Sequence, residues 1–155
     1  MLELFMNAIL ECRILKKEMF DGHDTNDLLD LRDIEEYRNE RIRVNALVDK
    51  LMEENRENFI EEELSYVQGV YRIMRFTEGA LESATVDMLS EAGVYYEIAL
   101  DIGEDCALIA KAYLLNINDP WLNSLILSYA NNEFPCGEIE KTSVSFTEAL
   151  NQLLK

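Results

Sequence analysis

Residues 76–110 read FTEGALESATVDMLSEAGVYYEIALDIGEDCALIA. Over these 35 residues there is no Lys, Arg or His, and there are eight carboxylates: Glu78, Glu82, Asp87, Glu91, Glu97, Asp101, Glu104 and Asp105. The same stretch carries much of the chain's apolar material. It must therefore pack on one side and present negative charge on the others. Apolar spacing sets the orientation. Ile60, Leu64, Val67, Tyr71 and Met74 step by four, three, four and three, and Leu81, Ala84, Met88 and Ala92 carry the rhythm onward, which is the period of a helix face. One helix is predicted over 57–92, with Glu78 and Glu82 on its flank and Asp87 and Glu91 on its far side. Gly93 is a natural joint. A second helix over 94–115 follows, with Tyr95, Ile98, Ile102, Cys106, Ile109 and Tyr113 inward and Glu97, Asp101, Glu104 and Asp105 on the opposite face. Gly103 is a candidate break in it.

Upstream, Ile34, Tyr37, Val44, Val48 and Leu51 keep heptad spacing in a helix predicted over 26–55. Arg41 takes the one position in that rhythm where an apolar residue is due, so its stem should pack while its guanidinium reaches a carboxylate or solvent. A joint at Asn55–Arg56 is short enough to force the two long helices into an antiparallel hairpin. Residues 2–19 form a further amphipathic pattern. Downstream, Asn118-Asp119-Pro120-Trp121 marks a helix start, with Asp119 as N-cap and Pro120 at the first helical position. That helix should run to Ala130. An irregular stretch over 131–142 precedes Ser145 and Glu148, a capping box for a last helix over 146–154. The expectation is an all-α fold: a single-domain helical bundle of five to six helices with a long antiparallel helical hairpin, residues 1–155 forming one acidic domain.

Composition excludes several classes. Hydrophobic content of 48% and only two prolines suit a folded domain, and no apolar run is long enough to span a membrane. Net charge is −17, with −7 over residues 1–75 and −10 over 76–155. Such a surface repels nucleic acid and anionic lipid and attracts basic proteins. Cys12, Cys106 and Cys136 have no metal-ligand spacing and fit a reducing, intracellular, cytoplasmic setting.

Catalytic chemistry is hard to assemble. His23 is the sole histidine, and it sits in a polar turn between Asp21 and Asp24. Acids recur every third residue from Asp21 to Glu36, but no frame places the glycine and glutamate that an EF-hand requires. P-loop, GxGxxG, HExxH and CxxC motifs are absent. Glu54 and Glu57 form an ExxE, which is similar to the magnesium-binding helix of all-α nucleotide pyrophosphohydrolases of the MazG and dUTPase kind. That resemblance implies a second, ExxD-bearing helix, whereas here Glu97 to Asp101 is ExxxD and Asp101 to Glu104 is reversed. No cofactor or metal is expected, and the chain reads as a non-enzyme.

Does the negative stretch require a partner? Like-charge pairs at i,i+4 cost roughly 0.2–0.5 kcal/mol each, a small part of the roughly 5–15 kcal/mol that stabilises a domain. Solubility alone could account for it. The functional alternative is a binding module or inhibitor whose carboxylates engage a basic, nucleic-acid-handling partner protein, as a nucleic-acid mimic, immunity factor or viral anti-defence factor. The candidate contacts are Glu78, Glu82, Asp87, Glu91, Glu97, Asp101, Glu104 and Asp105, with Trp121 as a secondary anchor. A small acidic chaperone and a magnesium pyrophosphohydrolase are the other readings.

Overall fold

A computed structural model describes Asp30, Arg32, residues 34–58, Ser83, Asp87, Glu91 and residues 96–155. Four helices are defined there, in the order α1 Glu35–Asn58, α2 Tyr96–Leu114, α3 Pro120–Ala130 and α4 Phe146–Leu153, and the described residues contain no strand. The all-α expectation holds for this part. The first helix, over 2–19, lies outside the described residues, as does the 57–92 helix apart from Ser83, Asp87 and Glu91. Those three are helical and exposed. The second arm of the expected hairpin is thus not among the described elements.

α1 opens with Glu35 and Glu36 in its first turn, where acids complement the helix dipole. Asp30 and Arg32 are also helical, but Ile34 is not. The continuous 26–55 helix is therefore corrected to one that breaks at Ile34. Its other end differs too: α1 runs through Asn55 and Arg56 to Asn58, so the joint expected there is helical. Tyr37, Val44, Val48 and Met52 are buried along one face, following the predicted heptad with Met52 taking the place of half-buried Leu51.

α2 lies against α1 and is almost wholly enclosed. Ile98, Ile102, Cys106 and Ile109 are buried as predicted, but so are Ala99, Ala107, Leu108, Ala110 and Ala112. Burying an aliphatic side chain of Val, Leu or Ile size contributes roughly 1.5–3 kcal/mol. The run of small residues lets neighbours pack on several sides at once. Gly103 is helical and buried, so the candidate break is absent. The helix ends in a left-handed cap. Asn116 has φ 54°, its N–H donates to Tyr113 O at 3.2 Å, and the Ile117 N–H donates to Ala112 O at 2.9 Å. This is the Schellman pattern with Asn in glycine's usual place.

α3 begins as its sequence dictates. Asp119 Oδ1 accepts from the N–H groups of Trp121 and Leu122 at 3.0 and 3.1 Å. It closes with a second left-handed cap at Asn132, φ 59°. α4 carries the predicted capping box, Ser145 with Glu148, and buries Phe146, Ala149 and Leu150 against α3. Between them, residues 131–145 are irregular. Gly137 at φ +68° supplies the turn that a side chain would strain.

Candidate functional site

Among the described residues charge falls into two populations, one buried and paired, the other exposed. The buried population centres on Asp105, with 0% exposure. Its Oδ2 accepts hydrogen bonds from Arg32 Nη2 at 2.7 Å, the Tyr37 hydroxyl at 2.9 Å and the Tyr129 hydroxyl at 2.7 Å. Its Oδ1 accepts none, and Arg41 Nε stands 3.5 Å away. Arg32, 4% exposed, spends its other donors on Asp101 and on the carbonyl of Pro135 at 3.0 Å. Its guanidinium lies 4.6 Å from the Tyr37 ring centroid and 5.2 Å from that of Phe134, a cation–π sandwich. Arg41 donates to both the side chain and the backbone carbonyl of Asp101, and reaches Glu104 at the rim. Two guanidiniums thus face two carboxylates, and the interior is neutral.

The electrostatics follow from the geometry. Burial alone would raise the Asp101 carboxyl, but Arg32 and Arg41 hold it below its ordinary value. Burial and the neighbouring Asp105 charge push the Tyr37 and Tyr129 hydroxyls well up, so both remain neutral donors. Burial works against the Arg32 charge, yet Asp105 and its companions raise that guanidinium further. This hub ties the residues ahead of α1, α1 itself, α2, α3 and the 134–135 turn together at one point.

A second set of contacts follows the outer side of α1. Arg43 grips Asp119 with both terminal nitrogens, at 2.8 and 3.0 Å, and its Nε donates to Glu40 at 2.7 Å. Lys141 reaches the same Glu40 at 2.9 Å. Asp119 therefore caps α3 and anchors α1 at once.

The eight candidate contacts of the acidic stretch divide sharply. Glu78 and Glu82 lie outside the described residues. Asp87, Glu91 and Glu97 are exposed. The Glu104 side chain is 72% exposed and pairs with Arg41 at the hub's edge. Asp101 is 30% exposed and bound by two arginines. Asp105 cannot touch a partner, because it has no accessible surface. The predicted opposite face of α2 is thus only partly outward, since this helix is covered on several sides. Trp121 is likewise corrected as an anchor: it is 1% exposed and packs edge-on to Tyr37, with ring centroids 5.5 Å apart.

Sequence reasoning found Arg41 and missed Arg32. The signal for Asp105 was present: it falls in the rhythm Ile98, Ile102, Asp105, Ile109, just as Arg41 falls in the rhythm of α1. Two opposite charges, each in an apolar row, imply each other. Glu54 and Glu57 prove to share one helix, and the described residues contain no group of three or more His, Cys, Asp or Glu side chains placed to hold a metal ion. No helix among them is long and apolar enough to cross a membrane.

Comparison with known proteins adds a family. The family described as Immunity protein PIM1 matches residues 5–136. No curated protein and no solved structure matches the chain.

Proposed function

Because the chain belongs to the Immunity protein PIM1 family, we propose that it acts as an immunity factor, binding a harmful protein and holding it inactive. The partner is basic and acts on nucleic acid, and the exposed carboxylates occupy the surface on which that partner would hold phosphates. The observation that carries this reading is the sorting of charge. Asp101 and Asp105 are matched to Arg32 and Arg41 inside, so they consume two of the chain's 14 Lys and Arg. Among the described residues, Asp87, Glu91 and Glu97 stand exposed outside this hub, and the Glu104 side chain, 72% exposed at its rim, meets Arg41. Association driven by such a surface is fast and salt-sensitive, since screening at physiological ionic strength acts over roughly 8 Å. The setting is intracellular.

The test is capture of the partner from a lysate of the source cells at low and high salt, followed by its expression alone and together with the chain. The reading expects a basic protein that elutes with salt, harms cells by itself, and is neutralised by co-expression. A Glu91→Gln, Glu97→Gln, Glu104→Gln variant should bind it less tightly while melting like the parent. An acidic partner, or one held equally well by that variant and at high salt, overturns the charge-based reading.

A further inference from the structure

Beside the first two turns of α1 lies an open groove of about 590 Å³. Its lining includes half-buried Ile139 and the buried Trp121, together with Glu36 and Glu40 from α1 and Glu138 and Glu140 from the irregular segment, the four that make its acidic rim. We propose that this groove is a docking site for a Lys- or Arg-bearing segment of the partner protein, an inference that rests on the immunity reading above and gives it a location.

Three features of the groove support that occupant. The first is charge complementarity. Four carboxylates line the groove against one cation, Lys141, and Glu36, Glu138 and Glu140 are exposed and unmatched by any ion pair among the described residues. Secondly, the chain itself shows the chemistry the groove accepts. The Lys141 ammonium sits 2.9 Å from Glu40 Oε1, so one rim carboxylate already receives an ammonium while three are unfilled. The third is rigidity. The lip is fixed by Ser124, whose hydroxyl donates to Glu140 O at 2.6 Å and accepts from the Thr142 N–H at 3.0 Å. Glu40 is held from the other side by Arg43. A preformed site loses little conformational freedom on binding. Ile139 in the lining suits the methylene stem of a lysine or arginine while the carboxylates take its charge.

None of these rim residues belongs to the 76–110 stretch, so the two surfaces can be tested apart. The probe is a dye-labelled peptide of alternating arginine and leucine, titrated against the intact chain by anisotropy, with amide chemical shifts followed by NMR. Shifts centred on residues 36–40 and 138–141 are expected, with binding about tenfold weaker in a Glu36→Gln, Glu138→Gln, Glu140→Gln variant, which corresponds to three exposed pairs of mid-range surface strength. The Glu97→Gln, Glu104→Gln variant should bind the peptide like the parent. Shifts centred on residues 87–104, or spread evenly over all exposed acids, overturn the groove. So does equal binding by the rim variant. If the captured partner is basic and salt-sensitive yet indifferent to the rim variant, the groove fails and the immunity reading stands. If the captured partner is not basic, the charge-based reading fails by itself.

Discussion

Replacing Asp105 with Asn is the most revealing single perturbation of this fold. Asn keeps the shape and one carbonyl acceptor for the Tyr37 and Tyr129 hydroxyls, so the change is almost purely one of charge. At 2.7 Å from Arg32, the gross attraction at an effective dielectric of 20 is about 6 kcal/mol, much of it offset by desolvation of both ions. What the variant exposes is the other side of that balance. Arg41 would keep Asp101 and Glu104, but Arg32 would lose its buried counter-charge and keep only its share of Asp101, a loss of roughly 3–5 kcal/mol. For a chain of this length that is a fall in Tm of about 6–20 °C. Urea denaturation followed by circular dichroism reads it directly. The second arm is Arg32→Met, which should cost a similar amount by leaving the Asp105 carboxylate only Arg41, at 3.5 Å, as counter-charge. The double variant Arg32→Met, Asp105→Asn restores neutrality, with Arg41 still paired to Asp101, and should be less destabilised than the sum of the singles by about 1.5–3 kcal/mol. A loss under about 1 kcal/mol for Asp105→Asn, or strictly additive singles, would refute the neutral-hub argument. Below its melting temperature the Asp105→Asn variant should bind the partner like the parent, because Asp105 is buried.

Further outcomes follow from the same geometry. Asp101 and Asp119 both titrate below their ordinary value of 3.8, so their contribution to stability is present above that pH and lost as pH falls through the folded-state values. The urea midpoint should decline below about pH 4, and Asp101→Asn should flatten part of that decline. Tyr37 and Tyr129 are raised above 10.0, so their contribution is complete below pH 10 and lost as pH climbs beyond it, which spectrophotometric titration of tyrosinate against unfolding would show. Asp119→Ala removes the α3 cap and the Arg43 clamp together and should cost more than the roughly 0.5–2 kcal/mol of a cap alone, whereas Ser145→Ala should stay within that range. Cys106 is fully buried and its thiol is pushed up by burial, so it should resist thiol reagents in the native state and react once urea unfolds the chain.

The local elements were legible because their determinants are local. Asp119-Pro120 fixes the start of α3, Ser145 with Glu148 fixes the start of α4, and the alternating steps of three and four residues fix the inward faces of α1 and α2. Such signals act within one or two helical turns, so the residues alone reveal them, as they do the net charge of −17. The unbroken helix through buried Gly103 and the burial of Trp121 were settled by packing. A helix end is worth about 1 kcal/mol, less than the burial of one large side chain. Whether Asp105 is a surface contact or an interior ion depends on Arg32, 73 residues away in the chain, and on Tyr37 and Tyr129. Only the tertiary structure brings those groups together, because a carboxylate is stable inside a protein only where others neutralise and hydrogen-bond it.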